Sequence, residues 1–188
     1  MRYRRLLVAP ENLRPPVRDL IRGEAAKGTG GRIVMKMNSL VDPELIDDLY
    51  AASAAGTDVD LIVRGICCLR PRQPGLSERI RVRSIVGGFL EHSRVYRFGA
   101  DPMRATYLIG SADLMPRNLD RRVESLCPVE SPAVRARLDE LLTVCLADDV
   151  LAWELTADGV WNKVETLVGF DAQVRLRELA VERAQPRA

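Results

Sequence analysis

The feature that most constrains the fold is a strand, a helix and a second strand within residues 32–65. The apolar segments RIVMKMN and VDLIVRG are each short enough for a buried strand. Between them, SLVDPELIDDLYAASAAG has Asp42 at a helix N-cap position, Pro43 at the first helical position and Gly56 at the end. A helix joining two neighbouring strands forms a right-handed crossover, so the two strands are predicted to be parallel.

The segments on either side predict more strands and helices. YRRLLVA begins as a strand, residues 11–27 have apolar side chains at helical spacing, and RIRVRSIV alternates basic and apolar residues. SRVYRFG and ATYLIGSAD predict a hairpin, RRVESLCPV predicts a strand, and Ser131 is placed to cap a helix. The sequence therefore predicts an α/β fold with a mixed, mostly parallel sheet flanked by helices.

A domain boundary is predicted near residue 150. Residues 1–150 contain all the predicted strands. Residues 151–188 predict a loop, one amphipathic helix from Asp171 to Ala184, and a frayed end. We therefore interpret 151–188 as an extension of the domain.

Composition excludes several classes of protein. A chain of 188 residues that is 47% apolar and 29% charged is typical of a soluble globular domain. Its formal net charge of +2 is too small to indicate nucleic acid as a partner. The sequence contains neither an apolar run of the roughly 20 residues that span a bilayer nor a secretory signal pattern. We expect a cytoplasmic protein with no transmembrane segment.

The cysteines do not indicate a metal site. Their spacing matches neither a zinc motif nor a disulfide scaffold, and they are Cys67, Cys68, Cys127 and Cys145. We expect reduced, mostly buried thiols and no metal ligands in this chain.

Polar side chains near the predicted strand ends are the candidates for chemistry, because ligands of open α/β sheets bind beyond the carboxyl ends of the strands. Lys36 and Arg64 lie at or just after such ends, and His92, the one histidine, precedes the strand that begins at Ser93. Cationic donors around an imidazole are typical of a phosphate site. Arg64 directly follows the apolar run DLIV, so we expect it to be partly enclosed and to need an anionic partner.

Each candidate also has a structural interpretation. Arginines that alternate with apolar residues, such as Arg94, are typical of a solvated strand face. Lys36 is either a phosphate contact or an edge residue whose amine reaches solvent. A lone histidine such as His92 is more often a hydrogen-bonded structural residue than a catalyst.

Three long segments together carry a resemblance to a known family. They are NSLVDPELIDDLYAASAAGTDVDLIVRGICCLRP, PGLSERIRVRSIVGGFLEHSRVYRF and GSADLMPRNLDRRVE. They closely resemble the carboxyl-terminal region of the bacterial polyphosphate kinases, which transfer the terminal phosphate of ATP to inorganic polyphosphate and back. The resemblance runs from about Tyr3 to about Asp149, and it implies a domain that is half of a phospholipase D-like fold.

The resemblance also implies roles for individual residues. His92 matches a histidine at the nucleotide site that is thought to assist phosphate transfer, and Arg64 matches an ATP-binding arginine. Lys36, Arg94, Arg117 and Arg122 are further candidates for phosphate binding. ATP or ADP is then the substrate, with Mg²⁺ expected to accompany the nucleotide on ligands outside this chain. The resemblance places the phosphorylated histidine in a preceding domain, so a separate chain carrying the missing domains is a possible partner.

Two positions depart from the family pattern. Gly88 replaces an expected basic residue in GGFLEH, and Arg72 replaces a glycine that many relatives have in RPRQPG. Three hypotheses therefore stay open: a kinase fragment that needs its missing domains, a polyphosphate or nucleotide binding module without turnover, and an inactive remnant that still folds.

Overall fold

The computed structural model of the protein describes residues 5–185. The strands are β1 (Leu7–Ala9), β2 (Arg32–Met37), β3 (Asp58–Val63), β4 (Ile80–Ile85), β5 (Arg94–Phe98), β6 (Thr106–Gly110), β7 (Glu124–Pro128), β8 (Ala152–Leu155) and β9 (Trp161–Lys163). The helices are α1 (Arg14–Ala25), α2 (Pro43–Ala54), α3 (Pro116–Asp120), α4 (Pro132–Ala147) and α5 (Ala172–Ala184), with a short 3₁₀ turn at Gly28–Gly30.

The strands form one mixed sheet in the order β1-β7-β6-β5-β2-β3-β4-β8-β9. The crossover prediction is confirmed, because β2 and β3 pair in parallel with α2 between them, and β4 continues the parallel set. The other six pairings of the described strands are antiparallel, so the sheet is not mostly parallel as predicted. A hairpin joins β5 and β6, and such a short connection permits only antiparallel neighbours.

Helices cover both faces of the sheet, as predicted. Val17 and Ile21 of α1 and Leu49 of α2 are fully buried against one face. On the opposite face, Leu142 of α4 and Leu179 of α5 pack over a second apolar cluster. This three-layer arrangement buries both sides of β2 and β3, which explains their nearly continuous apolar sequences.

Of the two helix caps predicted from the sequence, Asp42 and Ser131, one is confirmed. The Asp42 carboxylate accepts a hydrogen bond from the Leu45 amide at 3.1 Å, which confirms it as the cap of α2. Ser131 occupies the N-cap position of α4 but makes no side-chain cap hydrogen bond. Asp171 caps α5 by accepting from the amides of Gln173 and Val174, at 2.8 and 3.0 Å.

The prediction of a loop after residue 151 is wrong. β8 and β9 form there, and β8 pairs with β4 to extend the sheet. Strands of three and four residues are too short to show alternation in the sequence, and pairing with the edge of the sheet decides their conformation. The helix predicted from Asp171 to Ala184 is confirmed as α5, whereas Tyr3, Arg4 and the predicted frayed end at 186–188 lie outside the described residues. The domain boundary near residue 150 stays a prediction.

Candidate functional site

The ends of four strands meet at one edge of the sheet. β2, β3 and β6 run in the same direction, so the residues that follow them, Asn38, Arg64 and Asp113, lie at the same edge. β5 runs the opposite way and therefore begins there, with His92 just before it and Arg94 as its first residue. The structure thus brings His92, Arg64 and Arg94 to one edge, which we call the strand-end site.

Asp113 is the centre of the hydrogen-bond network at the strand-end site. It accepts from the Asn38 amide at 2.8 Å, from Asn38 Nδ2 at 3.2 Å and from the Ser39 amide at 3.4 Å. Arg94 donates to the two carboxylate oxygens through Nε at 3.2 Å and Nη2 at 3.1 Å. Burial by itself would raise the pKa of Asp113, but the hydrogen bonds from Arg94 and Asn38 outweigh it, so that pKa lies below its usual value.

His92 is exposed and is held by Arg94. The Arg94 Nη1 atom lies 3.0 Å from Nδ1 and 3.3 Å from Nε2 of the ring, and it donates to the His92 carbonyl at 2.8 Å. A guanidinium can only donate, so the ring nitrogen that accepts from it carries no proton. Because Nη1 lies within hydrogen-bond distance of both ring nitrogens, the tautomer decides which of them accepts.

Arg64 is exposed, so the prediction that it is partly enclosed is wrong. β3 ends at Val63, and Arg64 lies in the bend that follows, with its side chain at the surface. Its Nε donates to Asn38 Oδ1 at 2.6 Å, which links it to Asp113 through Asn38. Among the described residues, neither terminal nitrogen of this guanidinium has a hydrogen-bond partner, so both can donate to an anion.

A cavity of about 220 Å³ adjoins Arg64 and extends the strand-end site along the sheet. Trp153 of β8 and Trp161 of β9 line it, with Ser84 and Val86 on the side of β4. The segment that was predicted to be a loop therefore forms part of the wall beside Arg64.

Lys36 lies beneath the strand-end site and does not reach solvent. Its side chain is 3% exposed, and its Nζ lies 2.9 Å from Glu91 Oε2. Gln173 of α5 donates to the other carboxylate oxygen of Glu91 at 2.8 Å and also exchanges two hydrogen bonds, each 3.0 Å long, with the backbone of Phe89. These contacts fix the segment that leads into His92.

Arg117 and Arg122 are not brought into the network. Arg117 is exposed on α3, which begins three residues after Asp113. Arg122 is also exposed, and its Nη1 lies 4.0 Å from Glu124 Oε1. In the described part of the chain, no hydrogen bond or ion pair joins either side chain to His92 or Arg64.

Three residues that position the others were not predicted from the sequence. Asp113 was hidden in GSAD, where only the small residues attracted attention, although an acidic side chain just beyond a strand end is a signal. Glu91 directly precedes His92, but nothing in the sequence indicates that it pairs with Lys36. Gln173 gives no signal at all, because it lies in a helix that was interpreted as an extension.

The residues at the strand-end site do not form a metal site. Within residues 5–185, no group of three or more His, Cys, Asp or Glu side chains could hold an ion. Asp113, the carboxylate at the centre of this site, already accepts hydrogen bonds on both oxygens. Among the same residues, no helix is long and apolar enough to cross a membrane.

The fold places the chain in a recognisable structural class. It superposes on a phospholipase D family member, Nuc from Salmonella typhimurium, with a TM-score of 0.55 at 18% identity, covering 73% of this chain and 90% of that one. This likeness shows the fold alone. The architecture is therefore phospholipase D-like, as the resemblance implied.

The sequence comparisons define the family. Residues 6–174 match the family described as polyphosphate kinase C-terminal domain 2, so the chain belongs to that family. It is 51% identical over 172 residues to the polyphosphate kinase of Thermosynechococcus vestitus, covering 89% of this chain and 23% of the relative. It also matches the crystal structure of polyphosphate kinase from Porphyromonas gingivalis with a TM-score of 0.88 at 35% identity, covering 97% of this chain and 28% of that one. The chain thus spans about a quarter of the length of these relatives.

Proposed function

We propose that this chain provides the nucleotide and polyphosphate side of a polyphosphate kinase site. The reaction is the reversible transfer of the terminal phosphate of ATP to inorganic polyphosphate. The observation that carries the proposal is the unbroken hydrogen-bond path from Arg64 through Asn38, Asp113 and Arg94 to His92. This path holds the Arg64 guanidinium and the exposed His92 imidazole at the same edge of the sheet.

Arg64 is the nucleotide-binding residue in this proposal. Its two terminal nitrogens are free to donate in parallel, and a guanidinium matches the spacing of two phosphate oxygens. Because Asn38 holds Nε, little side-chain freedom is lost when an anion binds. The contact is the same before and during transfer, so Arg64 contributes mainly to binding.

His92 is the proton donor in this proposal. When a phosphoryl group leaves an oxygen atom, negative charge develops on that oxygen, and a positioned N–H stabilises it or transfers a proton to it. Arg94 holds the ring in place through Nη1, which contacts both ring nitrogens and the His92 carbonyl. Arg94 itself is engaged by Asp113, and its role here is positioning.

The remaining groups for transfer come from outside these residues. The sequence contains one histidine, so the phosphorylated histidine that the resemblance implies is not among the 188 residues. We infer that residues equivalent to the rest of the relatives, in the same or a separate chain, complete the site. Mg²⁺ would arrive with ATP or ADP, and we propose a cytoplasmic protein because these nucleotides are available there.

Two variants test the proposal, because one should lose ATP binding and the other should lose turnover. ATP binding is measured by calorimetry on the purified chain, and turnover is measured after mixing it with the remaining three quarters of the Thermosynechococcus vestitus relative. Arg64→Ala should weaken ATP binding by ~1.5 to 3 kcal/mol, the value of a charged hydrogen bond. His92→Ala should leave binding nearly unchanged and lower turnover by roughly 10² to 10⁴.

The control is Arg104→Ala, which removes a 90% exposed guanidinium on the turn before β6 and should change neither quantity. ATP binding that is equal in the Arg64 and Arg104 variants would refute the nucleotide site. Binding without any turnover in the mixture would favour a binding module over an enzyme. If His92→Ala lowers only the melting temperature, the histidine is structural.

A further inference from the structure

A second cationic pocket lies at the opposite end of the central strands. It has a volume of about 340 Å³ and is lined by Arg32, Asp60, Leu61, Arg72, Arg81, Val82, Arg83, Leu146 and Glu154. β2 begins at Arg32 and the strand-end site follows its last residue, Met37, so the two places are roughly 17 Å apart along one strand. We call this cavity the arginine pocket.

The arginine pocket has an excess of positive charge. Four guanidinium groups and two carboxylates line it, which leaves two positive charges uncompensated. Asp60 accepts hydrogen bonds from Arg81 at 2.7 and 3.2 Å and also from Arg32, so one carboxylate holds two guanidinium groups in place. Nη1 of Arg32 is buried and has no hydrogen-bond partner in the described part of the chain.

Arg83 closes the floor of the arginine pocket. It pairs with Glu154 at 3.0 Å and donates to the Cys145 carbonyl near the end of α4 at 3.5 Å and to the carbonyl of Asp148, just after the helix, at 3.3 Å. The Arg83 charge therefore interacts with the carboxyl end of α4. Most of the excess positive charge of the pocket comes from Arg32, Arg72 and Arg81.

Arg72 is the most informative residue of the arginine pocket. Its φ is 55°, the one value in the left-handed region among the described residues other than glycine, and glycine adopts that conformation at less cost. The loop is fixed by hydrogen bonds from the Arg72 amide to the Ser77 carbonyl at 2.8 Å and from the Gln73 amide to Ser77 Oγ at 2.9 Å. The exposed Arg72 side chain makes no hydrogen bond or ion pair within residues 5–185. Packing and turn formation therefore do not account for an arginine at this strained position.

We propose that the arginine pocket binds a short run of phosphates from inorganic polyphosphate, as a second site separate from the strand-end site. Guanidinium groups are the preferred partners of phosphate oxygens. The volume lies at the small end of ligand cavities, and no aromatic side chain lines it to stack on a base, so the lining favours a phosphate chain over a nucleotide. The choice of polyphosphate as the source of the phosphates rests on the proposed function.

The experiment uses tripolyphosphate as the probe and the full chain as the protein. Calorimetric titrations are made in the Arg64→Ala background, so that binding at the strand-end site is already weakened. Arg72→Gln removes the charge and keeps the strained backbone, and Arg72→Gly removes both. Arg104→Gln is the matched control, since it removes an exposed guanidinium from another loop.

We expect both Arg72 variants to weaken tripolyphosphate binding by about 5- to 10-fold, because each loses one charged contact at an exposed position. The control should change binding by less than twofold. Arg72→Lys should restore part of the affinity, and Arg72→Gly should melt no lower than the parent because the strain is relieved. AMP should not compete. Binding that is equal in the Arg72 and Arg104 variants, or that is already abolished by Arg64→Ala, would overturn the second site. Normal ATP binding by Arg64→Ala would instead contradict the proposed function. It would not affect the conclusion about phosphate binding that is drawn from the Arg72 variants.

Discussion

Replacing Asp113 by asparagine tests whether this carboxylate holds the strand-end site together. The Arg94 and Asp113 side chains are only 11% and 9% exposed, so each depends on the other for its partner. Asparagine has the same shape, but its amide nitrogen would face a donor of either Asn38 or Arg94, and the negative charge is lost. Breaking a buried ion pair by removing one partner costs about 3 to 5 kcal/mol. Because asparagine keeps one acceptor oxygen, we expect the free energy of unfolding to fall by about 3 kcal/mol.

Urea unfolding at pH 7, followed by circular dichroism, measures this loss. Asp47→Asn is the control, since Asp47 is exposed on α2 and its replacement should change the free energy of unfolding by no more than about 0.5 kcal/mol. A loss below about 1 kcal/mol for Asp113→Asn would refute the reasoning, because the network would then not depend on the charge.

The pH dependence gives a second check on Asp113. Its pKa in the folded protein lies below the ordinary value, so its ionised form stabilises the fold at every pH above the unfolded pKa of about 3.9. This contribution is lost as the pH falls through the lowered folded pKa. The difference between the parent and Asp113→Asn should therefore be constant from pH 7 to pH 5 and shrink only below about pH 4. A difference that shrinks near pH 6 would contradict the assignment to this group.

Two further predictions concern side chains outside that network. Gln173→Ala removes three hydrogen bonds to the segment that leads into His92, so the Phe89 amide should exchange with solvent at least 10-fold faster by hydrogen exchange, whereas Gln185→Ala, at the exposed end of α5, should not change it. Unchanged exchange at Phe89 would mean that α5 does not hold this segment. Burial raises the pKa of the Cys67 thiol to about 11, so iodoacetamide at pH 8 should alkylate the exposed Cys68 well before Cys67, as read by mass spectrometry. Equal rates at the two thiols would contradict the burial of Cys67.

The sequence predicted the centre of the fold because the signals there are local. The apolar runs of β2 and β3, with the Asp42 cap between them, determine a crossover without reference to distant residues. The edge strands β8 and β9 could not be predicted in this way, because their conformation depends on pairing with β4, some 70 residues earlier in the chain.

The strand-end site was predicted in position but not in detail. His92 and Arg64 were found because polar residues beside apolar strands stand out in a sequence. The exposure of Arg64 depends on how the chain leaves β3, which no pattern in the sequence specifies. The partners of these residues come from far along the chain, since Asn38 and Asp113 are 75 residues apart and Phe89 and Gln173 are 84 apart. Such pairs are formed by tertiary structure alone.

The compensation of charge at the strand-end site has a consequence for how a polyanion binds. Of the predicted phosphate ligands, Lys36 is neutralised by Glu91 and Arg94 by Asp113, so neither contributes a free charge at this edge. Arg64 is then the candidate at this edge whose terminal nitrogens stay free among the described residues, and Arg117 is exposed on α3. A site with few uncompensated charges holds a phosphate chain weakly at each point, and under the proposed function a polyphosphate chain that advances after every transfer needs such weak contacts. Polyphosphate binding at this edge should accordingly weaken with salt, but less steeply than five free cations would give.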